Sequence, residues 1–440
     1  MQTAVSIILQ PGQSMLEDVF FKLFQEKLSE AVVRVGGKKR RENSAIDSMY
    51  ISKWVPCDLA SKTVAVMVSS DGSNASSKFA GGLGVYVARA VANIYDTEGV
   101  MVDAVPDVDV AAGYRFEGES LLMRALELRT LAAGVEKAKE TGKRVFAIFD
   151  GALYPTVVRE VSKQEDLGMA KLLLKSYIRL FRTADDNTVV IGVSKDSDVS
   201  YLRSAVMLEA IASMDPVVAT KIGVTMKARD LSKSITESTQ RGDMLALAED
   251  LADGTSDESL YSFLAPSGGY TQPLVIPPQP RFGKFDRSVP EWSWLKGPKG
   301  SFRDTVADKE VLSLLDELYS LTPVATTYWR PLNHQGVHRI DLLGRSVGYQ
   351  GEGGAVGNFV FVEPSSKEGR AVSSVVSDLN AMMSTSFSVD PLIQADVSVR
   401  LERRVFEGAY EPLIADALKK AGIDVDLRRR ELRDLVMRGY

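Results

Sequence analysis

Two stretches decide the fold: Val64-Ala-Val-Met-Val-Ser-Ser-Asp71-Gly72 and Val145-Phe-Ala-Ile-Phe-Asp150-Gly151. Each is an apolar run that closes on an Asp-Gly pair. Apolar runs of this length read as buried strands, and the Asp-Gly reads as the strand's end, since Asp and Gly are ordinary turn residues. A buried strand ending in a carboxylate delivers an oxygen ligand to the rim of a sheet. One such strand is unremarkable; two on neighbouring strands suggest a carboxylate cage for a divalent metal.

Outward from these runs, the chain alternates in a recognisable order. Residues 81–95 and 99–105 read as the second and third strands of an antiparallel meander. A helix follows over 118–141, then the strand at 144–149, a helix over 166–183, and a strand at 188–193. Three antiparallel strands, helix, strand, helix, strand is the ordering of a ribonuclease-H-like core, a mixed α/β sheet flanked by helices. Residues 1–50 read as an N-terminal extension, with an apolar helical stripe over 14–34 and a loop over 36–49. Residues 51–200 form the first part of the core. A mostly helical, then proline-rich, insertion or subdomain spans 201–305. Strand signals at 324–329, 337–343 and 359–362 and helical runs at 368–383, 391–406 and 410–421 complete the core over 306–440.

Composition excludes several chemistries. The chain has 440 residues, 45% hydrophobic and 25% charged, the balance of an ordinary globular protein. Its one cysteine, Cys57, rules out internal disulfides and cysteine-based metal clusters. The two histidines, His334 and His338, sit close together with no Glu after the first, which excludes a zincin helix and separated-histidine metal sites; they read as neighbours on one hairpin. No Gly-x-x-x-x-Gly-Lys-[Ser/Thr] loop is present. No apolar run approaches the ~18 residues of a membrane span, and Met1 to Gln13 lacks a secretory n-region, so a cytoplasmic setting is expected. The net charge of −5 does not exclude a local basic channel for DNA.

Oxygen ligands remain, and carboxylates with water suit Mn²⁺ or Mg²⁺. Asp71 and Asp150 are the strand-borne candidates. On the helix of 118–141, Glu127 borders the buried stripe through Met123, Thr130 and Leu131 at i−4, i+3 and i+4. Glu119 reads as a first-turn surface acid and Glu136 as a solvated one; a surface pairing of Glu127 with Arg124 or Arg129 is the alternative reading. Lys195, just after a buried strand, could meet a phosphate as a point charge or mark the exit to solvent. Asp390 and Pro391 open a helix on which Asp396 is placed to point inward, where a carboxylate needs a metal or a cation.

The order Asp71-Gly-Ser, a helical glutamate, Asp150-Gly and Val190-Ile-Gly-Val-Ser-Lys195 resembles the NurA nucleases of DNA end processing. Pro391-Leu-Ile-Gln-Ala-Asp396-Val-Ser-Val-Arg400 and Val337-His-Arg339-Ile-Asp341 are similar to that family's late motifs. The match runs from about residue 64 to 406 as scattered short motifs. The resemblance implies a ribonuclease-H-like fold and manganese-dependent cleavage of single- and double-stranded DNA ends. It also implies a homodimer working beside a HerA-type hexameric ATPase. It places the family's glutamate on Glu127, and the catalytic set on Asp71, Glu127, Asp150 and Lys195. Asp396 stands where many members carry histidine, keeping a metal ligand, and Ser388 stands where they carry tyrosine. The alternative from another class is a non-catalytic DNA-clamping or helicase-coupling subunit with a degraded site.

Overall fold

The computed structural model describes residues 24, 27–28, 44–57, 65–79, 82–114, 119–153, 167–194, 197, 199–222, 228–276, 309–321, 323–332, 336–349, 360–383 and 389–423. Among these, Ala65–Lys78 (β2), Leu83–Tyr95 (β3) and Met101–Tyr114 (β4) form the expected antiparallel meander. Arg144–Asp150 (β5) pairs parallel to β2, and Thr188–Ser194 (β6) parallel to β5. The sheet continues antiparallel through His338–Leu343 (β10) and Val324–Arg330 (β9) to Gly269–Thr271 (β7) and Trp54–Pro56 (β1). Leu274–Ile276 (β8) and Val360–Phe361 (β11) branch from β9, making eleven described strands in one mixed sheet.

Helices cover both faces. Glu119–Lys139 (α2) and Leu167–Thr183 (α3) connect β4 to β5 and β5 to β6, with Lys309–Ser320 (α9) packed against α3. Val145, Ala147 and Phe149 of β5 point to this side, into one apolar cluster with Leu128, Leu131, Val135, Leu173 and Tyr177. Phe146 and Ile148 point the other way, to Val372, Val375, Val376 and Leu379 of Lys367–Ala381 (α10) and Leu392 of Asp390–Val399 (α11). This strict alternation, with apolar residues on both faces, is why the strand reads as one unbroken apolar run. Tyr201–Met214 (α4), Pro216–Ile222 (α5), Ala228–Ser238 (α6), Gly242–Ala252 (α7) and Asp257–Leu264 (α8) bear out the helical reading of 201–262. Their buried residues belong to the same cluster as α2 and α3, and the segment returns to the sheet through β7 and β8.

Four local expectations are corrected. The first strand does not end at Asp71: β2 runs on to Lys78, paired with β3 as far as Lys78 and Gly84. Its second half is Ser-rich and largely exposed, so it lacks the apolar signature of the first, and Asp71-Gly72 is strand interior rather than turn. The third strand extends nine residues past 105, to Tyr114. Ser44–Ile51 (α1) is helical where a loop was expected, held by Tyr50, whose hydroxyl donates to Asp250. The helical run at 391–406 is also interrupted at 400–402, before the short turn Arg403–Val405 (α12) and Glu411–Lys420 (α13). His338 is buried on β10 beside the Trp329 ring. His334 and most of the stripe over 14–34 lie outside the described residues.

The strand β4 lies at one end of the sheet, and its edge is closed by its own side chains. The amide N–H groups of Ala104, Val108 and Val110 donate to the carboxylates of Asp103, Asp107 and Asp109, each at 2.8–2.9 Å. The alternate position between them is Pro106, which has no N–H to offer. The same aspartates are tied to α2 through Lys137 and Arg129. No described helix is long and apolar enough to cross a membrane.

Candidate active site

Asp71 and Asp150 stand side by side. Ser70 of β2 pairs with Phe149 of β5, so the next residue on each strand is one of the two aspartates. Both face the α10–α11 layer. The hydroxyl of Ser69 donates to the Pro391 carbonyl at 2.8 Å, and Ser73 accepts from the Leu401 amide at 2.9 Å, which fixes the face of Asp71 between them. Asp150 shares the face of Phe146 and Ile148.

The chain after each aspartate is a glycine, and each glycine admits a side chain from α2. A Cβ on Gly72 would sit 2.5 Å from Glu127 Oε1 and 2.8 Å from Met123 Cγ. On Gly151 it would sit 3.1 Å from Arg124 Nη2. Gly151 also has a φ of 141°, which only glycine adopts without strain. The glycines therefore have a second role: their missing side chains are the openings through which Glu127 reaches the middle of β2 and Arg124 the end of β5.

Glu127 is 7% exposed. Burial, and then the charge of Asp71, push its carboxyl up to about 8, with Asp150 adding to the rise. Arg124 and the Gly72 amide act in the opposite sense. The Gly72 N–H also donates to Asp71 Oδ1 at 2.8 Å, so one peptide group lies between two acids. Arg124 has its guanidinium carbon 5.8 Å from the centre of the Phe149 ring.

The remaining sequence motifs build the scaffold beneath these groups. Asp341 is wholly buried; it accepts two bonds from Arg339, at 2.9 and 3.0 Å, and one from Thr326 at 2.8 Å. Its second oxygen accepts the Leu153 amide at 3.0 Å, clamping the chain just past Asp150. The Gly151 amide donates to Val193, and a side chain on Gly192 would strike the Gly151 carbonyl. The Arg339-Ile-Asp341 and Val190-Ile-Gly192-Val motifs thus hold the exit of β5 in place.

Asp396 does not point inward. It is 53% exposed and ion-paired with Arg400, one turn on, at 3.0 Å. The helix turns Leu392, Ala395 and Val399 to the sheet, and Asp396, beside Leu392 at the edge of that arc, falls on the rim. Val389 is the N-cap of this helix and Asp390 its first residue, so Asp390 is not the cap. Glu136 is a solvated acid as expected, paired with Arg179. Lys195 and Ser388 lie outside the described residues. Arg124, named in the sequence only as a surface partner for Glu127, is instead a member of the cluster. Its signal was its spacing, one turn before Glu127 on the face that meets both glycines.

Three carboxylates and no thiol or imidazole is the chemistry of a hard cation such as Mn²⁺ or Mg²⁺. As placed, no group of three or more His, Cys, Asp and Glu side chains among the described residues is close enough to hold one.

The model of the NurA domain matches residues 66–285, which is 220 of the 440 residues. The chain belongs to the NurA family, a family of nucleases. Among solved structures, one of NurA with manganese is 14% identical over 88% of this chain and 97% of its own, with a TM-score of 0.41. A structure of NurA alone is 12% identical over 91% and 97%, at 0.39. One of NurA bound to dAMP and manganese is 14% identical over 92% and 97%, at 0.36. No curated protein matches the chain.

Proposed function

We propose that the protein is a divalent-metal-dependent deoxyribonuclease, hydrolysing phosphodiester bonds at DNA ends on a ribonuclease-H-like core. The observation that carries this reading is the pair Asp71 and Asp150, adjacent in register on one sheet face, with Glu127 brought beside them through the bare Gly72. The strand order β4-β3-β2-β5-β6, antiparallel then parallel, supports the ribonuclease-H-like assignment. Residues 201–305 are then an insertion into that core, and 306–440 its completion.

Asp71, Glu127 and Asp150 would hold Mn²⁺ or Mg²⁺. A bound ion of this kind supplies a water activated near neutral pH and neutralises charge on the phosphate. Like charges repel, so three carboxylates draw together only around a cation. Asp71 and Asp150 lie where β5 ends beside β2, and a phosphate held by the ion would approach there. Lys195, following β6, would meet the phosphate as a point charge. Asp396, tied to Arg400, is left out of the ligand set. With no nucleotide-binding loop in the chain, processive resection of duplex DNA needs a separate motor. We assign that role to a HerA-type hexameric ATPase acting with a homodimer of this protein in the cytoplasm.

The test is end-labelled single- and double-stranded DNA incubated with the purified protein and Mn²⁺, Mg²⁺ or EDTA. Metal-dependent shortening of the label is expected. Binding without cleavage under every condition would favour the clamping-subunit reading instead.

A further inference from the structure

We propose that Arg124 is the fold's own counter-ion for the Asp71, Glu127 and Asp150 carboxylates, a positioning residue that competes with a divalent cation for them. The inference rests on the reading of those carboxylates as a metal site. Three placements carry it. Arg124 lies one turn before Glu127 on α2, so both side chains leave the same helix face. Its guanidinium fills the space beside Gly151, the residue directly after Asp150, where a Cβ would come within 3.1 Å of Nη2. Its guanidinium carbon stands 5.8 Å from the centre of the Phe149 ring, the residue directly before Asp150, within cation–π range. The side chain is thus fixed on the α2 side of the β5 exit, on the helix face that carries Glu127 and against the two neighbours of Asp150.

Its charge also acts on Glu127 against those of Asp71 and Asp150. A carboxyl only 7% exposed and under the charges of two further acids is stabilised in its ionised form by a positive charge nearby. A planar guanidinium suits the place: it stacks on a ring while offering several N–H donors along its edges, which an ammonium does not. A cation held this way stabilises the empty carboxylates and opposes an incoming one. Arg124 then sets how much Mn²⁺ the protein needs.

The test has two arms. In EDTA at pH 9, where Glu127 is ionised, urea unfolding of the wild type, Arg124→Gln, Glu127→Gln and the double variant forms a thermodynamic cycle. Arg124→Gln is expected to lower the unfolding midpoint in the wild-type background, and by clearly less once Glu127 is neutral. Titration calorimetry with Mn²⁺ alone is expected to show about tenfold tighter binding by Arg124→Gln, the step that ~1.4 kcal/mol of relieved repulsion produces. Arg124→Lys, which keeps the charge, is expected to retain the wild-type Mn²⁺ affinity and serves if the Gln variant does not fold. Additive single effects in the cycle, or equal or weaker Mn²⁺ binding by Arg124→Gln, would overturn the counter-ion. A wild type that binds no Mn²⁺ would instead sink the metal-site reading, leaving the cycle in EDTA to uphold or overturn the counter-ion by itself.

Discussion

Glu127→Gln should make the metal-free protein more stable while removing its activity. The carboxyl titrates at about 8 in the folded chain against an ordinary 4.5, raised by burial and by Asp71. The folded state therefore holds a proton that the unfolded state has lost over that whole interval. Stability is full below pH 4.5, falls as pH rises, and levels off above about 8. At ~1.4 kcal/mol per pH unit, the interval sets a ceiling of about 5 kcal/mol on the loss. Gln keeps the shape and cannot ionise, so its variant should show no such slope. At pH 9 in EDTA it should exceed the wild type by some 2–5 kcal/mol, and at pH 4 the two should agree. Urea unfolding across pH 4–9 measures this, and Mn²⁺ should shrink the difference by compensating the wild-type charge. A variant that keeps the wild-type slope, or is the less stable at pH 9, would refute the placement of Glu127 among the acids.

The other expectations concern single groups. Asp71→Asn and Asp150→Asn should each remove nearly all cleavage with the fold intact, because an amide oxygen holds Mn²⁺ poorly; circular dichroism and end-labelled DNA check both. Gly72→Ala should cost about 1–3 kcal/mol, since its methyl would lie 2.5 Å from Glu127 Oε1, and should cut activity with it. Asp341→Ala should cost about 3–5 kcal/mol by stranding Arg339 in the core, visible as a lowered urea midpoint. Asp396→Ala should leave the Mn²⁺ requirement of cleavage unchanged, as an exposed i,i+4 partner of Arg400 contributes under about 0.5 kcal/mol; a raised requirement would return it to the site.

Much of this was legible in the sequence where burial is two-sided. Both core helices, α2 and α3, and the strands β5 and β6 stand within two residues of their expected bounds, because unbroken apolar runs and a clear helical period leave few alternatives. Glu127 was legible too, through neighbours at i−4, i+3 and i+4 that proved buried or half-buried. The far half of β2 was not. Ser73 to Lys78 has no apolar run to mark it, and its strand conformation comes from pairing with β3, a partner a hairpin away. Asp396 misled for a related reason. Helical spacing places residues on a wheel, and Asp396 lies at the border of its apolar arc, where only the packed neighbour decides which way it leans. Arg124 escaped notice because its place depends on Gly151, a residue 27 positions on whose absent side chain makes the room.

The closed edge of β4 bears on how the protein ages in solution. A fourteen-residue border strand with exposed Val102, Val108 and Val110 is the kind of template on which misfolded chains grow. Here the amides that would recruit a foreign strand are occupied by Asp103, Asp107 and Asp109, and Pro106 leaves a gap in the ladder. The bond from Lys137, then that from the Ala104 amide, hold the Asp103 carboxyl below the usual range, so this part of the guard stays charged in mild acid. Shelf life, and with it the choice of purification tags and buffers, hangs on four residues that take no part in any reaction.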